Sequence, residues 1–193
     1  MSSTNRGVER ELDDVYRTPE WLTKEILPTV VCPLSERHAY DILDPGCGNG
    51  RIGTLALEYA RTITKRATLD LTDITDQGCG ARIGNFLEMD FARKYDLIIG
   101  NPPYVLAQEF VDTARPLLRG KYSKLVLMLR INFLGSQKRA AWHRKWMPSI
   151  YVTPKRPRFN EGKRTDSCEY AWIVWDNNRP TVHILETEYY KEG

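Results

Sequence analysis

The sequence predicts an α/β fold built on a single doubly wound, mostly parallel sheet of seven strands, Rossmann-like, with an antiparallel edge strand. Three observations support this prediction. Short apolar runs alternate with amphipathic helical segments along most of the 193 residues. A glycine-rich turn joins one apolar run directly to a helix, as at the ligand-binding edge of open α/β sheets. The last apolar runs follow one another without a helix, which favours antiparallel pairing.

The first half of the chain contains four strand-like runs and two helical segments. Residues 1–14 are polar and are predicted to form a disordered tail, which leaves residues 15–193 as one domain. Thr18 is a candidate N-cap, and Pro19 is a suitable first residue, for the first helix. The expected helices are Glu20–Leu27 and Ile52–Ile63, and the expected strands are Ala39–Leu43, Ala67–Ile74, Ala81–Ile83 and Tyr95–Ile99.

The second half alternates in the same way before it changes to consecutive strands. Pro116 ends or kinks the helix predicted at Gln108–Leu118, because proline removes a backbone donor and clashes with the preceding turn. The spacing of Trp142, Trp146, Trp172 and Trp175 suits packing in the core. The remaining elements are expected at Lys124–Ile131, Ala140–Trp146 (a helix), Ile150–Thr153 and Tyr170–Trp175, with Val182–Leu185 able to add a short final strand.

Charge is distributed unevenly along the chain. The whole sequence has 28 Lys and Arg against 25 Asp and Glu, for a net charge of +3. From Arg115 to Arg164 there are 14 basic residues and one acid, Glu161, a local charge of +13, whereas the other 143 residues total −10. Because a region of single sign attracts polyanions, the sequence predicts a nucleic-acid partner.

The cysteines and histidines are too scattered to suggest a metal site. Cys32, Cys47, Cys79 and Cys168 form no C-x-x-C pair, and the three histidines are equally dispersed. Widely spaced thiols fit a reducing compartment better than a disulfide framework. The sequence shows no signal peptide and no apolar run of membrane-spanning length. We therefore expect a soluble cytoplasmic protein without a metal.

The first chemically informative motif is Asp44-Pro-Gly-Cys-Gly-Asn-Gly50, which lies between a predicted strand and a predicted helix. Its three glycines let the backbone turn sharply and approach a ligand closely. Residues 48–53 also satisfy the dinucleotide pattern G-x-G-x-x-G, which is weak evidence alone. Asp44, at the strand end, could pair with a cationic ligand rather than a pyrophosphate. Cys47 is expected to fill space and not to act as a nucleophile.

The second motif is Asn101-Pro-Pro-Tyr104, which follows the strand-like run Asp96-Leu-Ile-Ile-Gly100. The two prolines fix the backbone and remove two N–H donors. An amide, rigid carbonyl acceptors and an aromatic ring suit a planar NH₂ group. Asn101 Oδ1 and the Pro102 carbonyl can accept its two hydrogens while Tyr104 stacks on the attached ring. Such bonding would withdraw the nitrogen lone pair from conjugation and aim it at an electrophile.

In this order, the two motifs resemble those of the class I S-adenosylmethionine-dependent methyltransferases. Within that class the chain is similar to the N6-adenine DNA methyltransferases of N-P-P-Y type, in their small phage-like form, over nearly its whole length. The resemblance implies a Rossmann-like methyltransferase fold, S-adenosyl-L-methionine as cofactor and DNA, most often duplex, as partner. The catalytic residues that it implies are Asn101, Pro102, Pro103 and Tyr104.

The resemblance also implies contacts with the cofactor. Tyr16-Arg-Thr-Pro19 is similar to the Y-x-T-P cofactor motif of the family, and residues 44–50 are similar to its methionine-binding loop. Asp73 corresponds to the acid that holds the ribose, with Asp70 as the alternative. Asn85 stands where the family often has an acid that contacts adenine, with Asp90 as the alternative. The implied cofactor residues are Tyr16, Thr18, Pro19, Asp44, Pro45, Gly46, Gly48, Gly50, Asp73, Ile74, Asn85, Phe86 and Asn101.

The basic region is the predicted nucleic-acid surface. A base within a duplex has to be flipped out and held by stacking, and phosphates have to be neutralised. Phe159, in a loop that resembles that of small phage-type enzymes, is the candidate to pack on the flipped base. No separate target-recognition domain is expected, so readout is assigned to residues 131–165. The predicted contacts are Arg130, Asn132, Lys138, Arg139, Arg156, Arg158, Phe159, Lys163 and Arg164.

Three other functions share part of this pattern. An RNA adenine or guanine N-methyltransferase would need the same basic surface. A protein glutamine-N5 methyltransferase shares N-P-P-Y because a glutamine amide is also a planar NH₂ group, but it usually has a helical amino-terminal domain. A non-catalytic cofactor-binding module is disfavoured by the intact Asn101–Tyr104 motif. The sequence leaves the recognition sequence, the choice between DNA and RNA, and the oligomeric state open.

Overall fold

One eight-stranded sheet forms the centre of the chain. The computed structural model describes residues 17–32, 35, 38–159 and 167–185. The strand order is β3-β2-β1-β4-β5-β7-β6-β8, and β7 runs antiparallel to both of its neighbours, while the other pairs are parallel. The strands are β1 (Tyr40–Pro45), β2 (Ala67–Asp73), β3 (Arg82–Ile83), β4 (Leu97–Gly100), β5 (Lys124–Arg130), β6 (Ser149–Val152), β7 (Tyr170–Trp175) and β8 (Val182–Ile184).

This topology confirms the predicted fold class. The sheet is mostly parallel, with antiparallel pairing towards one edge, as the consecutive last runs indicated. Within the described residues the sheet has eight strands and not seven, because β8 pairs in parallel with β6 and extends the sheet beyond it. Residues 176–181, which join β7 to β8, contain no helix.

Helices cover both faces of the sheet, so the fold is doubly wound. On β5, Val126 and Met128 pack with α1 and α2, whereas Leu125, Leu127 and Leu129 pack with α3. This alternation follows from the two-residue period of a strand, and it divides the buried core into two layers. The helices are α1 (Glu20–Val30), α2 (Arg51–Arg61), α3 (Ala107–Ala114) and α4 (Ala140–Lys145).

The start of α1 differs from the prediction, whereas the end of α3 agrees with it. The N-cap of α1 is Pro19, and it makes no side-chain capping bond, so Thr18 is not the N-cap. Thr18 Oγ1 instead accepts a hydrogen bond from Asn101 Nδ2 at 3.0 Å. Pro116 ends α3 as expected, and the last turn continues as a 3₁₀ segment at Arg115–Leu117.

The parallel strands place their carboxyl ends at one edge of the sheet, which we call the carboxyl edge. The loops after β1, β2, β4, β5 and β6 all lie there, as does the start of β7. The basic region does not lie there as a whole. Arg119 forms ion pairs with Asp41 and Asp96 at the opposite edge, and Lys124 Nζ donates to the Thr29 carbonyl at 3.0 Å. The predicted single basic surface is therefore divided between two edges.

None of the helices in the described ranges has the length and apolar character needed to cross a bilayer.

Candidate active site

A cleft of about 480 Å³ opens at the carboxyl edge. It brings together segments that are far apart in sequence, because Thr18 and Asn101, separated by 83 positions, are hydrogen-bonded in its wall. Open α/β sheets bind ligands at this place, beyond the carboxyl ends of the strands. The predicted site residues that line the cleft are Thr18, Gly46, Gly48, Asp73, Ile74, Asn85, Phe86, Asn101, Pro102, Pro103, Tyr104 and Arg130.

The glycine loop is fixed against the end of β2 by its own backbone. The Cys47 N–H donates to the Thr72 carbonyl at 2.9 Å, and the Gly48 N–H donates to Asp73 Oδ2 at 2.7 Å. Gly50 has a φ of 73°, and a Cβ atom there would lie 3.0 Å from Leu71 Cδ1. Both its conformation and its close approach to β2 therefore require glycine.

Of the two candidate ribose-binding acids, Asp73 lines the cleft and Asp70 does not. Asp73 Oδ1 also accepts from the Thr75 N–H at 2.9 Å, so its carboxylate joins the glycine loop to the segment after β2. Asp70 instead accepts from Tyr95 Oη at 2.7 Å and pairs with Arg93 at 2.5 Å. The geometry assigns Asp70 to an ion-pair network away from the cleft.

Asp44 lies beneath the glycine loop and not in the cleft, which corrects the prediction that it faces a cationic ligand. It is fully buried, and Oδ2 accepts from the Gly53 N–H at 2.8 Å. Burial raises the pKa of this carboxyl from 3.8 to about 8; the Gly53 hydrogen bond opposes the rise, and the charge of Asp73 adds to it. Asp44 thus joins β1 to α2.

The far end of the cleft has both polar and apolar walls. Asn85 Oδ1 accepts from the Leu87 N–H at 3.2 Å, and its Nδ2 donates to Glu88 Oε1 at 2.8 Å. Asp90, the alternative to Asn85, is exposed and is not part of the lining. Phe86 and Phe110 lie with their ring centroids 5.1 Å apart, and both line the cleft. Ile74 lines it with 71% of its surface exposed, so its apolar side chain is available to a ligand.

The Asn101–Tyr104 motif begins directly after β4 and is held in one orientation. Asn101 Nδ2 donates to Thr18 Oγ1, which leaves Oδ1 as the acceptor of the amide. This Oδ1 atom is buried and has no hydrogen-bond partner within the described ranges. Since the Pro103 carbonyl accepts from the Leu106 N–H at 2.9 Å, it is occupied by the turn that follows. An unsatisfied buried acceptor in a cleft wall is costly unless a ligand donates to it.

Tyr104 packs between the motif and the last strands of the sheet. Its ring lies 5.8 Å from the ring of Tyr170, and the Arg130 guanidinium lies 5.1 Å from its centroid. Arg130 Nε also donates to Tyr170 Oη at 3.2 Å. Burial raises the pKa of the Tyr104 hydroxyl above its usual range, so this side chain remains neutral at neutral pH.

The structure places the predicted nucleic-acid residues in different environments. Asn132, Lys138 and Arg158 are exposed in the segments that follow β5 and β6 at the carboxyl edge, the first two in short 3₁₀ helices. Arg139 donates from Nε and Nη2 to the Phe133 carbonyl, and Arg156 forms an ion pair with Glu169. Lys163 and Arg164, and the predicted cofactor residue Tyr16, lie outside the described residues.

Phe159 is not placed as predicted. Its side chain is only 8% exposed, and its ring packs at 5.1 Å from that of Tyr170 in the core. Phe159 therefore packs against Tyr170, which in turn contacts Tyr104, and it is not available to stack on a base. Sequence reasoning failed here because a phenylalanine in a basic loop carries no signal that distinguishes burial from exposure.

Several cleft residues were not predicted. Arg51 follows the glycine loop directly, and Val105 follows the Asn101–Tyr104 motif, so their positions next to the motifs could have indicated them. Phe110 had no such signal, because only the packing of α3 brings it to the cleft. Pro19, Pro45 and Gly50 stand next to lining residues without lining the cleft. The further lining residues are Arg17, Cys47, Asn49, Ile52, Thr75, Gln77, Gly84 and Leu106.

The strand order and the cleft define a class I S-adenosylmethionine-dependent methyltransferase fold, as predicted. The sequence model of the family described as Eco57I restriction-modification methylase matches residues 57–131, which include β2 to β5 and the Asn101–Tyr104 motif. No match was found among curated protein sequences.

Solved structures agree on the fold. The methyltransferase subunit of a type I restriction-modification system from Streptococcus thermophilus matches with a TM-score of 0.63 at 14% identity, over 85% of this chain and 45% of that subunit. A protein from Listeria monocytogenes, described as a class I S-adenosylmethionine-dependent methyltransferase, matches with a TM-score of 0.63 at 12% sequence identity. The match covers 93% of this chain and 68% of that protein. The plantazolicin methyltransferase BpumL, in complex with S-adenosylhomocysteine, matches with a TM-score of 0.53 at 13% sequence identity. The match covers 82% of this chain and 83% of BpumL. The chain thus spans less than half of the type I subunit.

The residues of the cleft fit S-adenosylmethionine, the methyl donor of this class. The cleft volume of about 480 Å³ is within the range of small-molecule binding sites. Asp73 would hold the ribose hydroxyls, and the glycine loop would lie against the methionine end. Ile74 and Phe110 would offer apolar surfaces to the adenine ring. The cofactor would supply an electrophilic methyl group.

Proposed function

We propose that the chain transfers a methyl group from S-adenosylmethionine to the N6 amino group of adenine in DNA. One observation carries this proposal: the buried Asn101 Oδ1 lacks a hydrogen-bond partner within the described ranges, and the bond to Thr18 fixes its orientation. A carboxamide oxygen held in this way is suited to accept a hydrogen from a planar amino group. The Asn-Pro-Pro-Tyr motif and its position after β4 support the same chemistry.

The proposed mechanism uses hydrogen bonding and stacking. Asn101 Oδ1 and the Pro102 carbonyl accept the two amino hydrogens of the target. Those bonds draw the nitrogen lone pair out of conjugation with the ring and direct it to the methyl group. Tyr104 stacks on the base, and Arg130 and Tyr170 hold the Tyr104 ring in place. The prolines keep the acceptors rigid, so little reorganisation accompanies the transfer.

DNA as the substrate is supported by the Eco57I restriction-modification methylase match and by the basic residues near the cleft. Lys138, Arg139, Lys155 and Arg158 follow β5 and β6 at the carboxyl edge, where they can neutralise phosphates beside an extruded base. We propose that residues 131–165 read the target and that the enzyme acts in the cytoplasm.

A methyl-transfer assay with labelled S-adenosylmethionine tests the proposal. Duplex DNA, single-stranded DNA, RNA and a release-factor protein are offered separately, and the products are digested and separated as nucleosides or amino acids. The expected result is label in N6-methyladenine from DNA, with little transfer to the other substrates. The Asn101→Ala variant serves as the negative control in each arm.

Each other outcome points to a different function. Label in an RNA nucleoside would replace DNA by RNA as substrate, and label in glutamine would show that the motif acts on an amide of a protein. Tight binding of S-adenosylhomocysteine without transfer to any of the four would indicate a non-catalytic module.

A further inference from the structure

Two free thiols lie in contact beside the cleft. Cys47, within the glycine loop, and Cys79, between β2 and β3, have their Sγ atoms 3.8 Å apart. Both thiols also lie close to the Gly48 carbonyl, at 3.6 Å from Cys47 Sγ and 3.4 Å from Cys79 Sγ. The proposed methyl transfer uses neither sulfur. A pair of thiols at this separation needs only small side-chain and loop movements to become a disulfide.

The two glycines that flank Cys79 are not packed against other residues. Gly78 and Gly80 have φ values of 75° and 77°, and no atom lies within 4 Å of a Cβ built on either. Cys79 is half-buried, whereas Cys47 is buried. A small oxidant can therefore reach Cys79 first, and a small shift of this segment towards Cys47 meets little steric resistance.

We propose that Cys47 and Cys79 form a reversible disulfide when the protein meets hydrogen peroxide, and that this bond distorts the cofactor site and weakens binding there. The Cys79 sulfur attacks an oxygen of hydrogen peroxide: an S–O bond forms, the O–O bond breaks, and the departing hydroxide takes the Cys79 proton and leaves as water. The Cys47 sulfur then attacks the sulfenic sulfur of Cys79. The S–S bond forms, the S–O bond breaks, and the departing hydroxide takes the Cys47 proton as a second water. Two thiols are oxidised and one hydroperoxide is reduced.

The weaker binding follows from the contacts of the glycine loop. Cys47 and Gly48 line the cleft, and the Gly48 N–H holds Asp73 in position at 2.7 Å. A disulfide bond of about 2.0 Å requires the two Sγ atoms, 3.8 Å apart, to approach each other by about 1.8 Å. The part of this movement that Cys47 makes displaces the glycine loop and disturbs the Gly48 contact with Asp73. Conversely, a ligand in the cleft holds the loop and slows the oxidation. Burial and the neighbouring Asp44 carboxylate raise the pKa of Cys47, so Cys79 is the thiol that we expect to react first.

Treatment of the full chain with hydrogen peroxide tests this proposal. The expected product has lost the mass of two hydrogen atoms and yields a Cys47–Cys79 linked peptide after digestion. Its affinity for S-adenosylhomocysteine, measured by calorimetry, is expected to fall by about tenfold or more. Dithiothreitol should restore the affinity, and S-adenosylhomocysteine added before the peroxide should slow formation of the linkage.

Variants separate this pair from the other thiols. Cys79→Ser should bind S-adenosylhomocysteine as the unmodified protein does and should keep that affinity in peroxide, whereas Cys32→Ser should remain sensitive. A digest with sulfenic or sulfonic acid at Cys79 and no linkage would overturn the proposal, as would a linked product with unchanged affinity. Because binding and peptide mapping are the readouts, the result does not depend on whether DNA is the methyl acceptor.

Discussion

Asn101 is the side chain on which the proposed chemistry depends most. Its amide is oriented by one hydrogen bond, from Nδ2 to Thr18 Oγ1 at 3.0 Å, while its oxygen is buried without a partner in the described part of the chain. A preorganised acceptor of this kind contributes to catalysis mainly in the transition state, where charge develops on the target nitrogen.

Replacement of Asn101 should therefore separate binding from transfer. Asn101→Ala is expected to lower the methyl-transfer rate by about 100-fold or more, because one positioned hydrogen-bonding group is lost. The affinity for S-adenosylhomocysteine should change little. Asn101→Asp keeps an acceptor oxygen and should retain more activity than the alanine variant. Equal rates for Asn101→Ala and the unmodified enzyme would remove this residue from the mechanism.

Asp44 makes stability depend on pH in an unusual direction. Its pKa in the folded state is about 8, against an ordinary value of 3.8, so the folded protein holds this proton more tightly than the unfolded chain does. The contribution of Asp44 to the free energy of unfolding is thus fully present at low pH and decreases as pH rises from about 4 to about 8.

Asp44→Asn should remove this pH dependence, because the amide does not titrate. Urea unfolding of both proteins at several pH values across that window should show the variant gaining stability relative to the unmodified protein by at most about 1.4 kcal/mol per pH unit. Parallel curves for the two proteins would show that Asp44 does not hold a proton in the folded state.

Among the secondary-structure elements, α2 is positioned by the absence of a side chain at Gly53. A Cβ atom there would lie 2.9 Å from Asp44 Cβ and 2.9 Å from Leu69 Cδ1. The helix therefore lies unusually close to β1 and β2, and its first turn sets the position of the glycine loop that precedes it.

Gly53→Ala should destabilise the protein by about 1–3 kcal/mol, although alanine is the better helix former, because the added methyl group forces α2 away from the sheet. Gly120→Ala is the matched control, since nothing lies within 4 Å of a Cβ at Gly120. Thermal or urea unfolding measures both. A Gly53→Ala protein as stable as the Gly120→Ala protein would contradict the close approach.

At the scale of the whole molecule, exposed basic residues lie at both edges of the sheet, whereas the cleft lies at the carboxyl edge only. Lys138 and Arg158 are exposed in the segments that follow β5 and β6 at the carboxyl edge. Lys65 and Lys121 are exposed near the starts of β2 and β5, at the opposite edge. If net charge alone determined DNA binding, all four residues would contribute equally. If DNA binds at the cleft, as proposed, the two at the carboxyl edge contribute more.

Two double variants of equal charge change test this distinction. Lys138→Gln with Arg158→Gln should weaken DNA binding and should reduce the slope of log affinity against log salt by about one unit for each lost phosphate contact. Lys65→Gln with Lys121→Gln should leave both nearly unchanged. Fluorescence anisotropy over a salt series measures the DNA affinity of each variant. Equal losses of affinity in the two double variants would show that DNA does not bind at the cleft.

Most of the fold could be predicted because its signals are local. Each strand is a short apolar run, and the predicted ends of β5 and β7 differ from the observed ones by at most one residue. The glycine loop and the Asn101–Tyr104 motif are contiguous, and the topology of a parallel sheet brings them to the same edge. The edge strand β8 was less certain, because three exposed residues carry little periodicity.

The sequence by itself determined the fold class, the two motifs and their order, since each depends on neighbours along the chain. Only the tertiary structure decided which acids and aromatics face the cleft: Asp73 and not Asp70, Asn85 and not Asp90, and a buried Phe159. It also divided the basic region, with a net charge of +13, between two edges of the sheet. The physical reason is that these placements depend on how distant segments pack, and identical local patterns are compatible with either outcome.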